Sequence, residues 1–265
     1  MDALIPRTVL IAVFASLGVF ALPTVSLAVP FDPAVNIIGT ISLDTTNSTA
    51  PTGNATQSGT LAITSGGVPT STTFTNLTPS GANPLSAPLT DIGDNVSTSF
   101  TIGGFGNPAP SQNEHLFGNY ILNLANSSLT DTFEVVFGVS LANNLSATGA
   151  DTFVIAELRI DPTTAAIVFD RHARDTVNGN TDDNGVLSFS LTLAPSASIQ
   201  IPGLQELRGG SFALDSIHNG VYTTALSVAT VRNLTNGGPT PVPEPGSFLL
   251  LGIGLAGITF GRLKR

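Results

Sequence analysis

The stretch DTVNGNTDDNG, residues 175–185, places side-chain oxygens at alternate positions: Asn180, Asp182 and Asn184, followed by Gly185. Calcium takes roughly six to eight oxygen ligands, and alternating Asp/Asn around a turn-making glycine is how a calcium loop begins. Here the first ligand is Asn rather than Asp, and the position for a bidentate Glu holds Leu191. The competing expectation is a β-hairpin between Phe169 and Val186, with Asn184 and Gly185 making a tight turn. Calcium at Asn180, Asp182 and Asn184 is the one cofactor these residues nominate. Directly upstream, DRHARD (170–175) gathers Arg171, His172 and Arg174 with two carboxylates. Such a cluster suits an anionic sugar, or forms a solvated hairpin end whose local ion pairs contribute little.

Other chemistry is thin. His115 and His218 lie in polar segments, and three scattered histidines lack the spacing of a metal site. Glu114 beside His115 is a weak acid–base pair. The sequence has no G-x-S-x-G elbow, HExxH helix or phosphate-binding loop, and no cysteine to serve as nucleophile or ligand. Two carboxylates meeting across a sandwich would hydrolyse glycosides, but spacing alone nominates no such pair. The expectation is a noncatalytic protein.

The elements that position these residues read as strands. Apolar, β-branched runs occur at 36–43, 58–65, 97–102, 120–126, 131–141, 151–160, 165–170, 185–193, 211–217 and 222–231. In 186–193, Leu187, Phe189, Leu191 and Leu193 alternate with Ser188, Ser190 and Thr192. Period two means one face buried and one wet. Asn, Gly, Asp and Pro separate the runs. The fold expected is all-β, an antiparallel β-sandwich or jelly roll over residues 29–235. Phe133, Phe137, Phe153, Phe169, Phe189 and Phe212 are the core candidates. Residues 45–110 look looser, with TTNSTAPTGNATQSG and GGFGNPAPSQNEH expected to loop out.

Between residues 29 and 241 there are five arginines and 16 carboxylates, a net charge of −11. Such a surface repels nucleic acid and anionic lipid. With no cysteine, the body must hold together by packing alone.

The ends differ from the body. Arg7, the apolar TVLIAVFASLGVFAL, Pro23 and the small residues Ser26 and Ala28 read as a secretory signal helix over 1–28. Signal peptidase would then cut between Ala28 and Val29. An uncleaved anchor is the alternative, but the apolar core is short of the ~20 residues a spanning helix needs. At the other end, NGGPTPVP makes an exposed Gly/Pro linker around 236–242. Residues 246–261 carry no charge, and Arg262, Lys264 and Arg265 follow. This reads as a C-terminal transmembrane helix with a basic stop-transfer cluster held cytoplasmic.

Val242-Pro243-Glu244-Pro245, an apolar helix with glycines and the final RLKR, in that order, resemble the PEP-CTERM sorting signal. The resemblance covers only the last part of the chain, 243–265. It implies recognition of Pro243, Glu244 and Pro245 by an exosortase, a membrane cysteine peptidase of Gram-negative bacteria. It implies transient anchoring in the inner membrane, then passage to the cell surface or extracellular matrix, where such proteins accompany exopolysaccharide and biofilm. The physical logic agrees: two prolines around Glu244 keep the backbone extended and out of the helix, as a peptidase requires. For the body the expectation is a structural protein whose Ser, Thr and Asn faces suit polysaccharide. The alternatives are a carbohydrate-binding module, disfavoured by the absence of Trp and the presence of only two Tyr, and a secreted glycoside hydrolase.

Overall fold

Period-two runs become strands throughout the computed structural model, which describes residues 29–107, 109–162, 168–184 and 188–236. Among these residues the chain forms, in order, β1 (Val29–Pro30), β2 (Val35–Leu43), β3 (Thr56–Ser65), β4 (Val68–Thr75), β5 (Thr78–Pro79), β6 (Leu85–Leu89), β7 (Asp91–Ile92) and β8 (Asn95–Gly106). Then follow β9 (Ser111–Asn126), β10 (Phe133–Thr148), β11 (Thr152–Ile160), β12 (Val168–Asp175), β13 (Thr181–Asn184), β14 (Ser188–Leu193), β15 (Ser198–Ser211) and β16 (Ser216–Asn233). The described residues contain no helix, so none long and apolar enough to cross a membrane. The expected signal helix (1–28) and transmembrane helix (243–265) lie outside them.

Two seven-stranded antiparallel sheets carry the fold. Sheet one runs β14-β10-β16-β8-β3-β4-β5, and sheet two runs β13-β12-β11-β15-β9-β2-β6. From β8 to β11 the chain changes sheet at every connection: β8 faces β9 and β10 faces β11 across the interior, whereas β9 and β10 stand apart. The result is a β-sandwich. Its inner faces meet through Phe100, Phe133, Phe137, Leu122, Val154 and Leu158, all fully buried. Each such side chain contributes about 1.5–3 kcal/mol by leaving water. Phe100 meets Phe74 edge to face at 5.5 Å, and Phe137 stacks on Phe189 at 5.2 Å. A polar crosslink also joins the sheets. The Tyr120 hydroxyl and Gln205 of sheet two bond Thr98 and Thr224 of sheet one, which satisfies groups that would be costly to bury alone.

The structure revises several expectations. Phe153, Phe169 and Phe212 are not core residues. Strand parity decides this: in β11 Val154, Ala156, Leu158 and Ile160 point inward, so Phe153 points outward, where it stacks on Phe212 at 6.1 Å. The run 211–217 is not a strand of its own: Ser211 ends β15, Ser216 begins β16, and 212–215 form the corner between them, with Asp215 at φ 59°. The segment 45–110 contains six whole strands, β3 to β8. GGFGNPAPSQNEH is the end of β8, a short turn and the start of β9.

Strand β15 was hidden by its own composition. Pro202 sits in a central strand, where proline normally removes a ladder bond. Here its carbonyl accepts from Asp161 N, so its backbone polar groups face the side on which β11 has already ended, opposite Gly203. The ladder over Thr152–Ile160 is left intact, and only the reciprocal bond to Asp161 is forgone. Gly209 is required by close approach, since a Cβ there would lie 2.9 Å from His218 Cδ2.

Candidate functional site

On the outer face of sheet two, β2, β9 and β15 frame a shallow concavity of about 410 Å³ lined by Asp44, Asn47, Phe117, Asn119 and Leu204. Phe117 and Asn119 are two residues apart on β9 and so share a face. Leu204 is the cross-strand partner of Asn119. Asp44 and Asn47 come from the turn that leaves β2. That turn is built by one carboxylate. Asp44 Oδ1 accepts from the backbone N–H of Thr46 at 3.0 Å and of Asn47 at 2.9 Å. Its Oδ2 accepts from Asn47 Nδ2 at 2.8 Å and Asn119 Nδ2 at 3.1 Å. Partial burial works against the charge, but these hydrogen bonds outweigh it and hold the Asp44 carboxyl below its usual range. Ser48 completes the turn: its hydroxyl oxygen accepts from Phe117 N at 2.9 Å.

Phe117 is braced from its own strand. The His115 ring stacks on it at 5.2 Å with an interplanar angle of 10°. His115 Nδ1 lies 2.7 Å from Glu206 Oε1, and Arg208 Nε lies 3.5 Å from the same oxygen. A β-bulge makes this possible. The register slips between Leu207 and Gly209, so Glu114 and His115 together oppose one residue of β15. The partner of His115 is therefore Glu206 across the sheet, not its sequence neighbour Glu114, which points to solvent.

The nominated calcium residues fall on and before β13. Asp182 pairs with His172 in the β12–β13 ladder, and its carboxylate is taken by two cationic or proton-bearing groups. Arg174 approaches at 2.7 and 3.2 Å and His172 Nδ1 at 2.8 Å. The hydrogen bonds from Arg174, then His172, lower the Asp182 carboxyl to about 2. Asn180 precedes the strand and Asn184 ends it opposite Asp170. Among the described residues no group of three or more His, Asp or Glu is arranged around a metal position. A hairpin is present with its turn at 176–178; the turn expected at Asn184-Gly185 runs into Gly185, which lies outside the described residues.

DRHARD is split by strand parity. Asp170 and His172 face inward, 1% and 7% exposed, with His172 Nε2 2.9 Å from Asp170 Oδ1. Burial raises the Asp170 carboxyl and, with the Asp170 charge second, raises the buried Tyr222 hydroxyl. Arg171 faces outward, 3.8 Å from Glu157. The register sets Glu157 directly opposite Glu206, but each leans to its own cation. His218 is fully buried between Ser211 Oγ and Asn113 Oδ1, both at 2.9 Å. Burial pushes it down to about 4.

Asp44, Asn47, Phe117 and Asn119 were not foreseen. One signal was available: DTTN at 44–47 repeats as DTVN at 175–178. Of the terminal site residues, Val29 lies in β1 and pairs with Ile92. Ala28, Pro243, Glu244, Pro245, Arg262, Lys264 and Arg265 lie outside the described residues.

No curated protein matches the chain. A solved structure, the VP2 subviral particle of infectious bursal disease virus, aligns with 83% of this chain and 72% of its own at 9% identity. Its TM-score of 0.14 is too low to bear on fold or function. Residues 241–265 match the family model of the PEP-CTERM protein-sorting motif. That motif implies export and transit of the membrane by the exosortase pathway of Gram-negative bacteria. This chain therefore carries a PEP-CTERM protein-sorting motif at its C-terminus, the mark of an exported protein processed by an exosortase.

Proposed function

We propose that this is a noncatalytic protein of the cell surface or extracellular matrix, associated with exopolysaccharide and biofilm. The observation that carries the reading is the sorting motif at 241–265. Signal peptidase cuts after Ala28, and the body then begins directly in a paired strand at Val29. Residues 246–261 anchor it transiently in the inner membrane, with Arg262, Lys264 and Arg265 as the stop-transfer cluster. Exosortase acts at Pro243, Glu244 and Pro245.

In support, three carboxylates of the body hold strands and turns together. Glu206 fixes His115, Asp44 builds a turn, and Asp182 ties β13 to β12. The outer face of sheet one presents hydroxyls in register, Thr73, Thr60, Ser99 and Thr223 on four adjacent strands. Such a surface suits a polyhydroxylated partner. A second reading, a carbohydrate-binding module, is favoured by the Phe117 concavity.

The test is the intact mass of the protein recovered from the producing cells, with and without active exosortase. A chain running from Val29 to near Pro243–Pro245 only when the enzyme is active is expected. A tail retained in both strains overturns the processing step and leaves an ordinary membrane anchor. Release of reducing ends from the host's own exopolysaccharide would overturn the noncatalytic part, with Glu157 and Glu206 the first pair to substitute.

A further inference from the structure

We infer that the concavity formed by Asp44, Asn47, Phe117, Asn119 and Leu204 is a subsite for one uncharged sugar ring of a polysaccharide. This rests on the reading that the body associates with exopolysaccharide, and it names the place and the class of sugar.

The chemistry of the walls selects the ligand. Phe117 supplies an aromatic surface and Leu204 an aliphatic one, matching the C–H face of a pyranose. Both Asn47 and Asn119 turn their Nδ2 groups to Asp44 Oδ2. An amide engaged through its nitrogen keeps its carbonyl oxygen free to accept, so these two side chains, which line the concavity with Phe117, offer acceptors. Sugar hydroxyls are donors that suit them. Asp44 itself is filled: each of its oxygens already accepts two hydrogen bonds. It acts as a positioning residue, locking two amides in place before any ligand arrives.

The site is built to hold its shape. Phe117 is backed by His115, which is fixed by Glu206, and its backbone N–H is held by Ser48. Preorganised contacts of this kind lower the ordering cost of binding. Volume is appropriate, since about 410 Å³ falls within the roughly 300–1,000 Å³ of small-ligand sites. The concavity is shallow and open, so a chain can continue past the ring that it holds.

Charge excludes the acidic sugars. Asp44 is ionised at neutral pH, and the body carries a net −11. Uronate or sulfate groups would meet repulsion with no arginine lining the concavity.

The test is calorimetric titration of the protein recovered from producing cells. The probes are neutral and uronate-containing oligosaccharides cut from the host's own exopolysaccharide, with neutral hexose and N-acetylhexosamine oligomers alongside. Wild type binds neutral oligomers. Phe117→Ala loses on the order of tenfold or more in affinity, as expected of a central aromatic contact. Phe117→Trp keeps the ring face and binds at least as tightly as wild type. Asn47→Ala, in an exposed turn where folding is not at risk, loses several-fold. If wild type binds and both Phe117→Ala and Asn47→Ala bind equally well, the subsite is wrong while the matrix reading stands. Uronate oligomers binding more tightly than neutral ones also overturn the subsite alone. If wild type binds none of the host oligosaccharides, the polysaccharide reading and the subsite fall together.

Discussion

The same five-residue turn occurs twice in this molecule, at 44–48 (DTTNS) and at 175–179 (DTVNG), and the two copies are built alike and used differently. In each, the aspartate Oδ1 accepts two backbone N–H groups, from Thr46 and Asn47 or from Val177 and Asn178. In each, Oδ2 accepts the Nδ2 of that Asn, and the fifth residue donates its N–H to the Asp carbonyl. The carboxylate replaces the hydrogen bonds that a longer strand would have supplied. Tertiary setting separates them. Asn119 adds a further donor to Asp44, and Ser48 is buried against Phe117 N. The second copy ends in Gly179 at φ 86° with no atom within 4 Å of its would-be Cβ. One turn is docked on a sheet face and frames a concavity. The other caps a hairpin tip.

The largest expected difference comes from deleting the two carboxylates. Asp44→Ala releases two backbone donors and two side-chain amides, one of them on another strand, and costs about 2–3 kcal/mol. Asp175→Ala removes the same local bonds at an exposed tip and costs about 1 kcal/mol. Urea unfolding of the two variants measures the gap. Equal costs would mean that docking onto β9 adds nothing to the first turn.

The fifth position sharpens the same point. Gly179→Ala forces a residue with a Cβ into left-handed backbone and costs about 1 kcal/mol. Ser48→Gly costs about the same for a different reason, because Phe117 N loses its acceptor. The two are told apart by the Phe117 amide in hydrogen exchange. It exchanges faster in Ser48→Gly and is unchanged in Gly179→Ala.

These turns also show what could be read from the sequence. The D-T-x-N repeat was visible, and its local geometry follows from the chemistry of Asp alone. What it frames was not visible, because Asn119, Leu204 and Glu206 reach the site only through strand register. Strands with clean alternation, such as β14 with Phe189, Leu191 and Leu193 inward, were legible. β15 was not, since Pro202, Gly203, Gly209 and Gly210 mimic a loop. Outward phenylalanines such as Phe153 depart from the expected core because strand parity, not hydrophobicity, decides which face a residue takes. The sorting motif was the most legible feature, because its parts are contiguous and need no fold to bring them together.

The smallest effect is a pH dependence. Hydrogen bonds hold both carboxyls, Asp44 and Asp175, below the ordinary value of 3.8 despite partial burial. A carboxyl with a depressed folded pKa contributes stability that is present above its unfolded pKa and lost as pH falls through the folded one. The window therefore opens just below pH 4 and runs downward. His218 acts earlier: it is buried neutral and pushed down to about 4, so its unfolded form takes a proton first and stability falls as pH drops from 6.5 to 4. That loss is common to wild type and both turn variants and cancels in the comparison. Above pH 5 the gap between wild type and each Asp→Ala variant is expected to be flat. Below pH 4 it narrows, more for Asp44, whose carboxylate also holds Asn119, than for Asp175. A gap that stays constant down to pH 2 would mean that neither turn depends on its aspartate being charged.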